Sequence, residues 1–353
     1  MSKPHLWVRA EQRDNETRVG ITPAGVRALL DQGFAVSVEA SGSRVIETAG
    51  YVATGCAIVA EHSWPSAPAD AIIFGLKELP DDGTPLPHTH IMFGHAFKGQ
   101  SSGRTLLKRF RAGGGTLLDL EYLTNDTGRR VAAFGYWAGF AGAAVALKCW
   151  AAQQSGGIAG PVGPYANADA LKGALLAELQ AAGTTRPTAL IIGALGRVGT
   201  GAADLCRAMD VPVTPWDMAE TAHGGPFPEI MQHHVFLNCI LAGPQTPLFV
   251  PKEAVTAPRT LTVIGDIACD PDSVFNPVPV YDRATTWAAP ALRVHDTPPL
   301  DVMAIDNLPS MLPLESSEDY AGQLLDTLKA LDGDANGVWA RAKALFEDHA
   351  NAL

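Results

Sequence analysis

The sequence lacks any long run of lysine and arginine, and its 26 basic against 37 acidic side chains leave a net charge of −11. A nucleic-acid binder, which neutralises phosphates with a clustered positive surface, is therefore excluded. No C-x-x-C pair occurs: Cys56, Cys149, Cys206, Cys239 and Cys269 are odd in number and widely spread. Neither a disulfide framework nor a zinc site is indicated, and a reducing cytoplasm fits best. The opening segment MSKPHLWVRAEQRDNETRVGITP is charged within ten residues and has no apolar stretch or small-residue cleavage site, so no export is expected. Internal repeats and low-complexity tracts are also missing. What is present is a 353-residue chain, 47% hydrophobic and 18% charged, too apolar for disorder and long enough for two domains of about 150 residues.

Residues 131–147 (VAAFGYWAGFAGAAVAL) form the longest apolar run. It falls short of the ~20 residues needed to span a bilayer. Its alanines and glycines, with Gly135 and Gly139 spaced G-x-x-x-G, are expected to make a buried helix that approaches another element closely, not a membrane span.

Before this run the chain alternates strand and helix. Thr22-Pro23 supplies an N-cap and a first-turn proline, Val26, Leu29 and Leu30 give helical spacing, and Gly33 closes the element. Short apolar runs at 5–9, 34–39, 72–76, 91–93 and 116–120 predict strands, with a helix over 105–111. After a glycine-rich loop at 155–167 a second series begins. Strands are expected at 188–193, 211–216, 235–241, 261–267 and 300–305, and helices at 196–209, 317–331 and 338–349. The spacing is that of βαβ units and predicts an α/β protein with two Rossmann-like lobes.

In TALIIGALGRVGTGAADL an apolar strand runs into Gly193, Gly196 and Gly199 and then a helix. Glycine there lets a dinucleotide pyrophosphate approach the backbone amides and the positive end of the helix, although a purely structural turn would use the same residues. The next strand ends in Asp217, 24 residues after Gly193. A carboxylate at that place can accept hydrogen bonds from both ribose hydroxyls and repels a 2′-phosphate, and no arginine lies in residues 218–225, so NAD is expected over NADP. Asp217 could alternatively cap a helix.

The first lobe sets ionisable residues at strand ends, where ligands of α/β sheets bind. Arg18 follows the first strand, Lys77 and Glu78 follow IIFGL, His95 and Lys98 follow IMFG, and Glu121 follows TLLDL, with Arg129 and Arg130 shortly after. Lys77 and His95 are of types suited to proton transfer near neutral pH. Arg13 and Glu16 could simply pair with one another. His62, His88, His90, His233 and His234 read as loop or surface histidines, and no metal site is expected.

The segments RAEQRDNETRVGITP, IIFGLKELP, HIMFGHAFKGQ, LLDLEYLTNDTGRRVAAFGYWAGFAGAA, LIIGALGRVGTGA, HGGPFPEI and IDNLPSMLP resemble the NAD-dependent, lysine-forming saccharopine dehydrogenase family over essentially the whole chain. The opening segment and the strand-end lysine and histidine are shared with the wider alanine dehydrogenase and transhydrogenase group. The resemblance implies a monomer with a cleft between its lobes, residues 1–133 with about 312–353 on the substrate side and 134–311 on the NAD side. It implies reversible conversion of saccharopine, NAD and water to lysine, 2-oxoglutarate and NADH. Lys77 and His95 would be the acid/base pair, Glu78 and Glu121 would modulate their charge, and Arg18, Lys98, Arg130 and Phe134 would bind substrate. Arg129, Gly196, Arg197, Asp217, Thr221, Leu241, Ile267, Ile305 and Asp306 match dinucleotide-site positions, alongside Gly193 and Gly199. Arg13 stands where relatives can carry lysine, and Val198 where some carry cysteine. The C-terminus lacks an S-K-L-type signal, so the expected compartment is the cytoplasm. Two other readings use the same residues: an alanine dehydrogenase-like or other opine dehydrogenase, and a nucleotide-binding module without turnover.

Overall fold

A computed structural model describes residues 3–13, 15–98, 100–183, 185–333 and 337–353. The chain divides into two compact units, one of residues 1–133 and 314–353, the other of residues 134–313.

In the first unit, β1 (His5–Val8), α1 (Pro23–Asp31), β2 (Ala35–Glu39), α2 (Thr48–Val52), β3 (Ala57–Val59), β4 (Ala71–Phe74), β5 (Thr89–Met92), α3 (Ser101–Gly113) and β6 (Thr116–Asp119) follow one another. The strands form a parallel sheet in the order β3-β2-β1-β4-β5-β6. Thr22 caps α1, its hydroxyl accepting from the Gly25 amide at 3.2 Å, and Pro23 opens the helix where a missing N–H costs nothing. Trp7, Ile73, Met92, Leu107, Phe110 and Leu117 gather into one core. The order reverses between β1 and β4, so the chain segments leaving those two strands flank a crevice at the carboxyl edge.

His90 is not the loop or surface side chain the sequence implied, and His88, though in the loop just before β5, is buried. His90 lies within β5, wholly buried, with Trp64 and Phe110 edge-on at 5.1 and 5.4 Å, and His88 is 4% exposed. Alternation along Thr89–Met92 turns His90 inward because a parallel strand is covered on both faces. Burial, with Arg9 nearby, pushes its imidazole down to about 3, so it stays neutral.

The second unit contains α4 (Gly135–Gln154), α5 (Ala168–Ala182), β7 (Ala189–Ile192), α6 (Arg197–Ala208), β8 (Val213–Trp216), α7 (Met218–Thr221), β9 (Val235–Asn238), β10 (Val263–Asp266), β11 (Leu292–Asp296) and β12 (Pro299–Met303). The sheet order is β11-β12-β10-β9-β7-β8, parallel except for the edge strand β11. The apolar run is α4, buried on every side from Gly139 to Ala151. A Cβ on Gly139 would lie 1.8 Å from the Val198 carbonyl oxygen, and one on Gly201 1.9 Å from that of Tyr136, so α4 and α6 touch backbone to backbone. No helix among the described residues is long and apolar enough to cross a membrane. Helices α8 (Pro313–Lys329) and α9 (Val338–Asn351) then run in the first unit apart from Pro313. The Val19 amide donates to the Ser317 hydroxyl at 2.9 Å and Phe346 packs on Phe110, which ties both helices to the first sheet.

Candidate active site

Lys77 follows β4 and is held by its main chain. Glu11, just beyond β1, accepts from the Leu76 and Lys77 amides at 2.6 and 2.9 Å, and the buried guanidinium of Arg9 donates to the Lys77 carbonyl. A Cβ on Gly75 would lie 2.4 Å from Arg9 Nε, so only glycine leaves room for this cation. Burial, reinforced by Arg18 and Arg13 and opposed by Glu16, brings the Lys77 ammonium below the ordinary lysine range. This favours a neutral amine able to take a proton.

Arg18 is 3% exposed and meets Glu16 as a fork, Nε to Oε1 at 2.8 Å and Nη2 to Oε2 at 2.6 Å. Burial raises the Glu16 carboxyl, but the Arg18 hydrogen bonds and the charges of Arg18 and Lys77 outweigh it and leave it lowered. Glu16 thus does not pair with Arg13, which lies 3.5 Å from Glu78 instead. The expectation that Arg18 grips a substrate carboxylate meets a guanidinium with two nitrogens already held by Glu16.

A second group gathers around Glu121 in the turn after β6. Its carboxylate lies 2.9 Å from Lys98 Nζ, 3.2 Å from Arg130 Nη2 and 3.3 Å from His95 Nδ1. The His95 ring at 3.3 Å, then Lys98 and Arg130, hold the carboxyl down to about 2 against the effect of burial. His95 has φ 48°, a left-handed conformation uncommon for any residue but glycine. Tyr320 on α8, fully buried, packs 6.0 Å from Phe93; burial pushes its phenol up, while the charges of Arg130 and Arg18 oppose this. One tyrosine therefore senses both groups of charged residues.

Several dinucleotide candidates cluster at the carboxyl edge of the second sheet, where the strand order reverses between the paired strands β7 and β9. A cavity of about 710 Å³ is lined by Gly193, Gly196, Asp217, Thr221, Leu241 and others. Gly193 turns with φ +85° beside the Cys239 carbonyl, and a Cβ on Gly199 would strike the Gly193 carbonyl oxygen at 2.1 Å. Gly196, the N-cap of α6, would bring a Cβ near nothing closer than 3.3 Å, so its bareness leaves space beside the helix N-terminus. Asp217 accepts from the Leu195 amide at 3.0 Å and the Met218 amide at 2.9 Å, and it also caps α7 with a reciprocal bond to Glu220. The helix-capping reading of Asp217 therefore holds, and each oxygen keeps a lone pair that a ribose hydroxyl could use. Leu195, Met218 and Leu241, each more than 80% exposed, edge the cavity with apolar surface suited to an adenine ring. These residues fit a dinucleotide.

Other candidates are less closely gathered. Ile267 and Ile305 belong to the core, where Ile267 fills the space above Gly142, whereas Asp306 and the α6 residue Arg197 are exposed. Arg129 lies in the first unit, its amide bonded to Asn125 Oδ1 at 3.0 Å, and Phe134 opens α4 in the second, so neither shares a unit with the rest of its expected set. Glu78 is 47% exposed and faces Arg13. Sequence reasoning passed over Arg9, Glu11, Asp119 and Tyr320. Glu11 and Asp119 follow or end apolar strands and carried that signal; Tyr320 carried none.

A model for the alanine dehydrogenase/PNT N-terminal domain matches residues 7–141. Among solved structures, an L-alanine dehydrogenase shares the fold with TM-score 0.68 and 17% identity, covering 98% of this chain and 99% of that one. A transhydrogenase from Sinorhizobium meliloti does so with TM-score 0.61 and 16% identity, covering 94% and 96%. The architecture is thus that of the alanine dehydrogenase and transhydrogenase class. The saccharopine dehydrogenase [NAD(+), L-lysine-forming] of Yarrowia lipolytica is 46% identical over 98% of this chain and 97% of its own length. That of Candida albicans is 44% identical over 99% and 97%. The chain belongs to the NAD(+)-dependent, L-lysine-forming saccharopine dehydrogenase family.

Proposed function

We propose that this chain catalyses the reversible, NAD-dependent oxidative cleavage of L-saccharopine to L-lysine and 2-oxoglutarate. The observation that carries the reading is a half-buried Lys77 beside Arg18 and a His95–Glu121 pair at the same sheet edge, in a chain of this family. Bound NAD supplies the hydride acceptor. Lys77, biased towards its neutral form, takes the proton of the secondary amine as hydride leaves the glutamyl α-carbon. His95 then assists addition of water to the resulting imine and passes the proton that lets the carbinolamine collapse to lysine. Glu121 holds the imidazole and gathers Lys98 and Arg130.

Saccharopine carries three carboxylates, and the cations Lys98, Arg130 and Arg18 answer that charge, Arg130 being able to bind one as a fork. The Glu16 fork on Arg18 makes Arg18 in this reading a charge that tunes Lys77 as well as a ligand. Phe134 completes the substrate set. Arg129, Arg197, Thr221, Leu241, Ile267, Ile305 and Asp306 are assigned with the glycine turn and Asp217 to the dinucleotide set by resemblance to the family, and the charge of Asp217 selects NAD. The first unit is the substrate side and the second the NAD side, and the protein is a cytoplasmic monomer.

The test follows NADH absorbance with purified protein and 2-oxoglutarate while lysine, ornithine, alanine or ammonia is added in turn. Oxidation that requires lysine, and that fails with NADPH, is the expected result. Turnover with another amine moves the assignment to a different opine or amino acid, and tight NADH binding without turnover replaces it with a nucleotide-binding module.

A further inference from the structure

Asp119 ends β6 and is 1% exposed. Its two oxygens divide between two amides: Oδ2 accepts from Gly94 at 3.2 Å and Oδ1 from Glu121 at 2.9 Å. Gly94 immediately precedes His95, and Glu121 is the carboxylate that meets the His95 ring. A single buried side chain therefore ties the end of the β5 loop to the turn after β6, across two strands paired in register at Met92 and Asp119. The loop lies flat on β6, since a Cβ on Gly94 would fall 2.7 Å from the Leu117 side chain.

His95 sits in the left-handed region at φ 48°, an uncommon conformation that the surrounding structure has to hold. The Asp119 bond to the residue before it is such a constraint. Burying a carboxylate is unfavourable, and burial accordingly raises the Asp119 carboxyl; the amides of Glu121 and Gly94 and the facing His95 offset this in part, while Glu121 adds to it. Merely capping the short turn after β6 would need only a hydroxyl or amide oxygen.

We infer that Asp119 is a positioning residue for the acid/base pair: it fixes the His95 backbone and the Glu121 turn in one register, so that the imidazole and carboxylate meet. The inference rests on the function proposed above. Its test compares Asp119→Asn, which keeps one acceptor, with Asp119→Ala, which keeps none, in the full-length protein. In Asp119→Ala, kcat for lysine-dependent NADH oxidation is expected to fall about 10- to 100-fold, with a smaller loss in Asp119→Asn and the NADH KM within about threefold of wild type in both. Crystal structures of the variants are expected to show His95 leaving the left-handed region or separating from Glu121. Wild-type kcat in Asp119→Ala, or in Asp119→Asn should the alanine variant not fold, overturns the inference. So does a variant structure that keeps both the His95 φ and its 3.3 Å approach to Glu121. If the wild type itself shows no lysine-dependent oxidation, the function is wrong and the variant structures alone decide the role of Asp119.

Discussion

Replacing Glu121 by glutamine removes a negative charge shared by His95, Lys98 and Arg130. The folded protein holds this carboxyl down to about 2 from 4.5. A drop of about 2.5 pH units corresponds to about 3.4 kcal/mol at 1.36 kcal/mol per unit. The three partners are 40–48% exposed, so water screens the attraction, and an effect of about 1–2 kcal/mol is the reasonable expectation. The folded carboxyl ionises at lower pH than the unfolded one, so its stabilisation is complete above about pH 5 and is lost as pH falls from about 4.5 towards 2. Urea unfolding of wild type and Glu121→Gln at pH 7, 5, 4 and 3 reads this directly. The glutamine variant should be less stable by about 1–2 kcal/mol at pH 7, and more than half of that gap should have closed by pH 3. A gap that stays constant with pH, or a variant more stable than wild type at pH 7, refutes the account of Glu121 as the shared counter-charge.

Lys77→Met should lower kcat about 10²- to 10⁴-fold, remove the limb of the pH–rate profile for saccharopine oxidation that lies below the ordinary lysine value of 10.5, and leave the NADH Kd from fluorescence unchanged. Asp217→Ser should narrow the preference for NADH over NADPH by about 10- to 100-fold, since the repelled 2′-phosphate then meets no charge; unchanged Kd ratios would count against the ribose assignment. His90→Leu should stabilise the protein by about 1 kcal/mol at pH 7, because both ring nitrogens are buried without a hydrogen-bond partner, and the gain should grow below pH 6.5, where the unfolded wild-type imidazole takes up a proton that the folded one refuses until about pH 3. Gly139→Val should cost more than about 3 kcal/mol by urea unfolding, since the obstacle is the Val198 main chain and not a side chain that can swing away.

Most strands were legible as short apolar runs, and the glycine turn as a strand feeding directly into a helix. Five elements escaped that reading, among them α2 and α7, which at five and four residues are too short to show a helical period. The edge strands β3 and β11 have exposed or half-buried residues and so no apolar signature. Helix α5 carried its signals, the cap Asn167 and a stripe of Leu171, Leu175 and Leu179, but the preceding glycine-rich loop obscured where it begins. His90 was misjudged because a histidine in a fully covered strand looks, in sequence, like one in a proline-bounded loop.

The residue types at the strand ends, and hence the chemistry available, follow from sequence alone, because a parallel α/β sheet delivers the residue after each strand to one edge. Lys77, His95, Glu121 and Asp217 could be singled out on that ground. Tertiary structure decided the pairings: Glu16 forks onto Arg18, Arg13 turns to Glu78, Glu121 gathers Lys98, Arg130 and His95, and Asp119 joins two loops. Such pairings depend on separations of about 3 Å, which neither periodicity nor spacing along the chain encodes, and Tyr320 reaches the first sheet only because α8 packs beside it.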